Sequence, residues 1–299
     1  MSQLVVELYG TRLGVLSGTW RSFDFEPAPE AMDRFGIDSP ILSVAIPLSP
    51  YPARGERGKR QNFFAELLPE GPMAARLALM AGVPGADTIG LLRAYGRDVA
   101  GALEIWDPDA PGEPKHPSLE PLTDDGVAAV LGAVGTHPLG NLPNSGKTSL
   151  GGFQDKIVLT AHDGVWNRPL DGYPSTHILK PITPDYPTMI FDEEYGDRLA
   201  RAIGLLPYET RIEEFAGVPA LMIERYDRDP AAPRGRIHQE DFNQALGLSR
   251  NAKYQKQGGQ VSVTRIARTV AAATDDDSLT RLARMVVLAV AVGNLDLHA

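Results

Sequence analysis

Alternating apolar and polar residues predict short β-strands in both halves of the chain. Residues 6–20 have the pattern of two strands joined at a glycine turn, and residues 103–106 that of a third. Short apolar runs, typical of partly or fully buried strands, recur at 156–161, 176–180 and 219–225.

Helical periodicity separates these strands. Residues 190–204 predict a helix that ends at Gly204, with an apolar face formed by positions 195, 199, 202 and 203. Residues 63–81 are predicted to be helical on both sides of a break at 69–72, because proline cannot donate a helical hydrogen bond and glycine weakens a helix. Further helices are predicted at 88–95, 124–134, 240–248 and 278–293.

The order of these elements predicts an α+β fold with two lobes, because strands with one inserted helix are followed by helices rather than by regular βαβ alternation. Five prolines within residues 107–121 indicate a stiff, extended linker. We therefore predict an N-terminal unit at 1–107, a linker with a short helix at 108–144, and a core at 145–299.

Composition excludes several classes of protein. The chain has 299 residues, a formal net charge of −9 and no cysteine. Without cysteine it cannot be a disulfide-stapled secreted domain or hold a cysteine-ligated metal site. The acidic balance disfavours a general nucleic-acid coating protein, because phosphate binding needs a basic surface. The run 54–60 (RGERGKR) is either a local basic patch or a solvated loop.

The apolar runs are too short to span a membrane. The longest covers residues 285–293, and the N-terminus has neither a basic region nor a long apolar core. We therefore expect a cytoplasmic protein with no membrane partner.

Two glycine-containing segments are candidates for phosphate binding. Residues 146–148 (GKT) resemble the end of a P-loop, but the first glycine of that motif is absent at the required spacing and the preceding residues predict a loop. Residues 149–156 (SLGGFQDK) open a strand, and their adjacent glycines would let backbone N–H groups approach a phosphate within reach of Lys156. A glycine-rich hairpin turn is the alternative interpretation of this second segment.

Charged residues follow two of the predicted strands. Lys180 is either a solvated strand-end charge or a phosphate-binding lysine, for which Glu193 or Glu194 in the next helix could serve as partner. Residues 224–228 (ERYDR) are either a solvated cluster or a segment that offers backbone groups to a base edge.

Two aspartates lie at predicted helix ends. Asp241 could cap the helix at 240–248 or hold a loop. Asp296 follows an apolar helix, where it could accept a hydroxyl proton or serve only as a turn residue. The chain contains no HExxH or GxSxG motif, so zinc-protease and serine-hydrolase chemistry have no support.

Taken together, these segments resemble the HipA family of bacterial serine/threonine kinases, the toxins of type II toxin–antitoxin pairs. The resemblance covers nearly the whole chain and implies a HipA-like two-lobed kinase fold with a small N-terminal subdomain. Eight segments carry it in the order of the family: FFAELLPEG (63–71), LLRAYGRDVAGAL (91–103), SLGGFQDK (149–156), THILKP (176–181), IERYDR (223–228), HQEDFNQALG (238–247), KYQKQGG (253–259) and GNLDLHA (293–299).

The resemblance implies roles for individual residues. Ser149 matches the serine that the family autophosphorylates, which ejects the phosphate loop and silences the kinase. Asp296 matches the catalytic base, and His298 lies in the nucleotide-contacting run that follows it. The implied ATP-binding residues comprise the phosphate loop, the phosphate lysine and the adenine hinge: Gly151, Gly152, Phe153, Gln154, Asp155, Lys156, Lys180, Glu224, Arg225 and Tyr226.

The resemblance also implies ATP and Mg²⁺ as cofactors, a HipB-like DNA-binding antitoxin as partner, and a protein substrate such as glutamyl-tRNA synthetase. Contact with DNA is expected only through the antitoxin. The family binds Mg²⁺ with an asparagine and an aspartate beyond the position of Ala299, so we expect a truncated C-lobe without metal ligands. The chain is then either part of an active kinase or an inactive antitoxin-binding module.

Overall fold

The computed structural model of the chain describes residues 3–113, 115–143, 145, 147–253 and 260–294. Over these residues the protein is a mixed α/β structure built on two antiparallel sheets, one of four strands and one of six. The predicted α+β class is confirmed, because the strands within each sheet pair in antiparallel fashion rather than through βαβ crossovers.

The N-terminal sheet has the strand order β3-β2-β1-β4. Its strands are β1 (Leu4–Leu8), β2 (Thr11–Ser17), β3 (Asp24–Pro27) and β4 (Leu103–Trp106). Tyr9 and Gly10 join β1 to β2, and both have positive φ, as a two-residue hairpin turn that matches the strand twist requires. The two strands predicted within residues 6–20 are thereby confirmed.

Four helices complete this half of the chain: α1 (Pro29–Phe35), α2 (Arg57–Glu66), α3 (Gly71–Ala81) and α4 (Thr88–Tyr95). The ring of Phe64 in α2 packs against that of Phe25 in β3, with centroids 5.4 Å apart. The predicted helix break is confirmed, since α2 ends at Glu66 and α3 restarts with Pro72 in its first turn, where no N–H is needed. We call residues 67–71 the corner.

The basic run 54–60 is not a solvated loop. It forms a 3₁₀ turn (Arg54–Glu56) and the first turn of α2. Arg57 Nε donates to Phe23 O at 2.9 Å, and Arg60 Nε lies 2.6 Å from Asp24 Oδ1. These cations attach α2 to the chain around β3, so the solvated-loop interpretation was wrong.

The second sheet has the strand order β5-β7-β6-β8-β10-β9. Its strands are β5 (Ser118–Pro121), β6 (Ile157–His162), β7 (Val165–Leu170), β8 (His177–Pro181), β9 (Thr210–Phe215) and β10 (Val218–Glu224). Helix α5 (Asp124–Gly132) covers one face, where Val130 packs in a cluster with Leu179 and Met222. Because side chains alternate along β8, Lys180 points away from that face, toward α6 (Met189–Ala202).

The segment predicted as a linker, 107–121, makes more contacts than a linker would. Asp107 is buried and accepts a hydrogen bond from Arg93 Nε at 2.9 Å, and Glu113 pairs with Arg97. Residues 118–121 form β5 and pair with β7, so the linker interpretation was wrong there. Pro121 is compatible with a strand because β5 lies at the edge of the sheet, where a missing N–H breaks no ladder.

The helix predicted at 240–248 is shorter than expected. Only α7 (Phe242–Ala245) forms, because Gly247 with φ of +65° turns the chain out of the helix. Asp241 caps α7 in a reciprocal capping box with Gln244, which confirms the first of the two roles predicted for it.

Two helices follow near the end of the described chain, α8 (Val263–Ala273) and α9 (Asp276–Ala291). Helix α9 confirms the helix predicted at 278–293, and it leaves Met285, Val287 and Val290 exposed. Within the described residues, no helix has the length and apolar character needed to cross a membrane.

Candidate functional site

The residue before Ser149 is fixed by an unusually dense set of hydrogen bonds. The Asn141 side chain donates to Thr148 O at 2.8 Å and accepts from Thr148 N at 3.1 Å. Thr148 Oγ1 donates to Asp98 Oδ2 at 3.3 Å, and Ser149 N donates to Asp98 O at 3.0 Å. The segment 149–156, which we call the glycine loop, therefore starts from a rigid point.

Ser149 is fully buried, and its Oγ donates to Leu67 O at 2.9 Å. Leu67 directly follows α2, so the hydroxyl lies at the C-terminal, electronegative end of that helix. In this conformation the serine is inaccessible to any other molecule. Its predicted phosphorylation therefore requires the loop to move.

The rest of the glycine loop lies against the corner and α3. Glu70 N donates to Gly152 O at 3.3 Å, and the Asp155 carboxylate pairs with Arg76 of α3. The exposed Phe153 ring lies over Gly71, where an added Cβ would come within 2.3 Å of the ring. A side chain at position 71 would therefore displace the Phe153 ring from its place over the corner.

Lys156 is the buried cation of the loop. Its Nζ donates to Gly151 O at 2.7 Å. Burial, followed by the nearby positive charge of Lys180, lowers the pKa of Lys156 to about 8. Gly152 has φ of +99°, and a Cβ there would lie 2.8 Å from Lys156 Nζ, so the glycine leaves room for the ammonium group.

Lys180 pairs with Glu193 of α6, which is one of the two partners predicted for it from the sequence. The neighbouring Glu194 is the wrong partner, because it contacts Arg198 on its own helix at 3.5 Å. A strand lysine held by a helix glutamate is a recurring part of kinase phosphate sites. The structure thus brings Lys156, Lys180 and Glu193 together behind the glycine loop.

The predicted hinge has two different kinds of residue. Glu224 ends β10. Its backbone N–H donates to Glu209 O at 2.9 Å, and its carboxylate accepts a hydrogen bond from Glu209 N at 3.3 Å. Tyr226 is 55% exposed, and its ring stacks on that of Tyr208 with centroids 5.6 Å apart. Arg225 turns inward and is almost fully buried, so its side chain is not a ligand-binding group in this structure. The hinge role of the backbone stays a prediction.

The Arg225 guanidinium belongs to a buried charge network that was not predicted from the sequence. Its members are Asp98, Arg225, Asp227, Arg228 and Arg236. Burial alone would raise the pKa of Asp98, but the three arginines, together with a hydrogen bond from Ser175, lower it to about 2. Asp98 lies within the segment 91–103 that carries the family resemblance, but nothing in its local pattern marks it as buried.

A second group missed in the sequence lies beside Lys180. Burial and the adjacent Glu193 raise the pKa of Asp197 to about 6. Burial also raises the pKa of Tyr208 above its usual range, with Asp197 as the next contribution. Both residues lie close to the predicted hinge and phosphate lysine, so they border the site formed by Lys156 and Lys180.

Asp296 and His298 lie outside the described residues. Gln154 is described and is half-buried in the glycine loop. Among the described residues, no group of three or more histidine, aspartate or glutamate side chains lies close enough together to hold a metal ion.

The described residues do fit the phosphates of a nucleotide. Adjacent glycines at 151 and 152 provide backbone without side chains, and two ammonium groups lie near enough for one to depress the pKa of the other. Such a pair of like charges is stabilised by an anion bound between or beside them. The tripeptide 146–148 contributes differently, because its described part serves to anchor Thr148 to Asn141.

Comparison with known proteins gives two family matches on separate parts of the chain. Residues 4–106 match the HipA N-terminal domain, and residues 148–299 match the HipA-like C-terminal domain. The second match alone covers just over half of the chain.

Individual relatives agree with these matches. The chain is 37% identical over 267 residues to "Putative kinase Y4mE" of Sinorhizobium fredii, an alignment that covers 85% of this chain and 63% of that protein. It is 29% identical over 221 residues to the "Serine/threonine-protein kinase toxin HipA" of Shewanella oneidensis, covering 73% of this chain and 49% of that protein. The chain therefore spans only part of the length of these relatives.

A solved structure has a similar fold. The Shewanella oneidensis toxin–antitoxin complex of HipA, HipB and its operator DNA contains a chain that matches with a TM-score of 0.76 at 26% identity. The match covers 99% of this chain and 71% of the other. The fold built on the two sheets is therefore similar to that of a solved HipA chain.

Proposed function

The chain belongs to the HipA family of kinases, and we propose that it binds ATP and functions in a serine/threonine protein kinase that is the toxin of a toxin–antitoxin pair. The observation that carries this proposal is the convergence of Lys156 and Lys180 behind the glycine loop, with Glu193 paired to Lys180. A glycine-lined loop with two converging cations is suited to a polyphosphate anion.

Bound ATP would supply the phosphoryl group that is transferred to a hydroxyl. In the proposed site, backbone groups at Gly151 and Gly152 and the ammonium groups of Lys156 and Lys180 neutralise phosphate charge. Glu193 orients Lys180. Backbone groups at the hinge near Tyr226 are proposed to hold the adenine. Mg²⁺, when bound with ATP, would help to neutralise the charge of the phosphates.

The roles of Asp296 and His298 remain proposals from the family resemblance. Asp296 would accept the proton of the attacking hydroxyl, and His298 would contact the nucleotide. A protein substrate such as glutamyl-tRNA synthetase is likewise proposed from the family resemblance.

The environment of Ser149 supports the proposed autophosphorylation switch. Ser149 Oγ now donates to Leu67 O at the electronegative end of α2. A phosphate on this oxygen would bring close to two negative charges to a carbonyl acceptor and would remove the donor hydrogen. The modified residue could not remain in this position, so the loop would be expelled.

Nucleotide binding tests the proposal directly. Calorimetric titration of the 299-residue chain with a non-hydrolysable ATP analogue should show one site, and Lys180→Met should weaken binding by about tenfold or more, since one of two phosphate cations is lost. Lys115→Met removes a cation that lies 3.9 Å from Asp171 and pairs with neither the glycine loop nor α6, so it should leave the affinity unchanged. Absence of binding by the unmodified chain, or equal affinity in the Lys180 variant, would overturn the proposal.

A second candidate function is binding of a HipB-like antitoxin without catalysis. It is favoured by the similarity to a HipA chain solved together with HipB and operator DNA. The two functions are separated by mixing the chain with a HipB-like DNA-binding protein and with labelled ATP. Complex formation without any phosphate on Ser149 or on a partner protein supports the binding module, whereas label on Ser149 supports the kinase.

A further inference from the structure

Three contacts join the glycine loop to the corner, residues 67–71. Ser149 Oγ donates to Leu67 O, Glu70 N donates to Gly152 O, and Phe153 lies over Gly71. The corner contributes the backbone carbonyl of Leu67, the backbone N–H of Glu70 and the open space left by the missing side chain of Gly71. The position of the loop therefore depends on the backbone of the corner more than on its side chains.

The same corner is held by a third segment, at Arg250–Ala252 and Lys253. The Arg250 guanidinium donates to Leu68 O at 2.9 Å, to Pro69 O at 3.2 Å and also to Ala65 O. Lys253 pairs with Glu70. Arg250 therefore binds the carbonyls on either side of Leu67, the residue that receives Ser149.

The chemistry of a helix end explains why one arginine can have this effect. The carbonyls at the end of α2 and just beyond it form an electronegative surface, although Ala65 O also accepts from the N–H groups of Leu67 and Leu68. The planar guanidinium carries five donors in a fixed fork, so it can hold several carbonyls in one geometry, whereas a lysine cannot. Without the fork, the corner loses the contacts that fix the direction of its carbonyls.

We propose that Arg250 is a positioning residue for nucleotide binding. It fixes the carbonyls of the corner, and the corner in turn holds the glycine loop in the conformation that receives the phosphates. Arg250 itself need not touch the nucleotide. The effect of the corner on the position of the glycine loop follows from the contacts described above. Only the effect of the glycine loop on nucleotide binding rests on the proposed function.

The first experiment tests whether the corner holds the loop. Gly71→Ala places a Cβ within 2.3 Å of the Phe153 ring, whereas Gly82→Ala, at the other end of α3, meets nothing within 4 Å. Both glycines have positive φ, +56° and +66°, so backbone strain is similar in the two variants. Amide hydrogen exchange without nucleotide should be faster at 149–156 in Gly71→Ala only. Equal exchange in both variants would contradict the seating of the loop on the corner.

The second experiment tests Arg250. Arg250→Lys keeps the charge and loses the fork, and Arg57→Lys makes the same change at the other end of α2, where Arg57 donates to Phe23 O and Ser22 O. We expect about tenfold faster exchange at 66–71 and 149–156 in Arg250→Lys, because hydrogen bonds of a charged donor are lost. A uniform increase over the whole chain, or the same increase in Arg57→Lys, would show a purely structural role and overturn the proposal.

A double-mutant cycle adds a measurement that general destabilisation would not change. Ser149→Ala removes the hydroxyl contact with Leu67. If Arg250 acts through the corner, its effect on exchange at 149–156 should shrink in the Ser149→Ala background, whereas independent effects should add. Additive effects would contradict the coupling.

Titration with the ATP analogue completes the test. Arg250→Lys should weaken binding by about threefold to tenfold while Arg57→Lys does not. If the unmodified chain fails to bind, the proposed function fails, yet the exchange experiments still decide whether Arg250 positions the loop. If exchange rises in the Arg250 variant and affinity is unchanged, the positioning role in nucleotide binding is overturned.

Discussion

Asp98 and Arg225 face each other in the protein interior, with Arg225 Nη1 3.6 Å from Asp98 Oδ2 and both side chains almost fully buried. Asp98 also accepts hydrogen bonds from Arg228 Nη2 at 2.8 Å and from Ser175 Oγ at 2.7 Å. Its backbone carbonyl receives Ser149 N. One aspartate thus connects the segment after β10, where the hinge is predicted, to the start of the glycine loop.

We predict that Asp98→Asn lowers the free energy of unfolding by about 3–5 kcal/mol, because it leaves three buried arginines with one remaining carboxylate. Urea unfolding at pH 7 measures the change. Glu120→Gln is the control, since it breaks an exposed ion pair with Arg168 and should cost less than about 1 kcal/mol. A similarly small loss in Asp98→Asn would contradict a structural role for the network.

Glu66 should make stability fall as the pH rises. Burial, with Asp241 as the next contribution, raises the pKa of Glu66 from 4.5 to about 7. Its folded pKa therefore exceeds its unfolded pKa, so the favourable contribution is complete below pH 4.5 and is lost as the pH rises through 7.

Glu66→Gln should remove this dependence. Because the carboxyl is partly exposed, we expect the wild type to lose on the order of 2 kcal/mol from this group between pH 4.5 and 8, and the variant to lose less. Urea unfolding at pH 5 and pH 8 gives both values. Glu30→Gln changes an exposed carboxyl in α1 and should keep the wild-type slope. Parallel slopes in all three proteins would contradict the prediction.

Glu193 should raise the pKa of Asp197 more than Glu194 does. After burial, Glu193 is the largest contribution to the pKa of about 6 at Asp197, and Glu194 the smallest. Glu193→Gln should therefore lower the pKa of Asp197 clearly, whereas Glu194→Gln should lower it little. Titration of the Asp197 carboxyl by NMR measures both. The reverse order, or no change in either, would show that the carboxylates are arranged differently.

Affinity for the ATP analogue should fall between pH 7 and pH 9. The pKa of Lys156 is about 8, so the ammonium group that would contact phosphate is mostly lost by pH 9. The groups that act on Lys156 are Lys180, Glu193, Asp155 and Glu70. We expect up to about tenfold weaker binding over this interval, and a flatter profile in Lys156→Met. Identical profiles in the two proteins would exclude Lys156 as the titrating group.

Much of the fold follows from local sequence patterns. The hairpin at residues 4–17, the broken helix around the corner and helix α6 have clear periodicity or punctuation, so each was predicted. Strands β7 (VWNRPL) and β9 (TRIEEF) were not, because Pro169 interrupts the first and charged residues fill the second. Strand β9 tolerates this composition because it lies at the edge of the sheet.

The site was predictable only where its geometry is local. The Lys180–Glu193 pair spans one strand and the next helix, so spacing along the chain was enough to suggest it. The partners of Asp98 lie in a different half of the sequence, and no periodicity indicates which charges will meet in the interior. The sequence predicted that Arg225 follows a strand. It could not predict that the side chain turns inward, because that direction depends on Asp98, which is distant in the sequence.

The buried charge network has a consequence for the order of synthesis. Asp98 leaves the ribosome well before Arg225, Arg228 and Arg236, so during translation its carboxylate has no arginine partner and must remain hydrated. The interior around Asp98 can close only after β10 has been made. A nascent chain that stalls before residue 225 would therefore lack every arginine that pairs with Asp98, although most of the core around the N-terminal sheet would already have been synthesised.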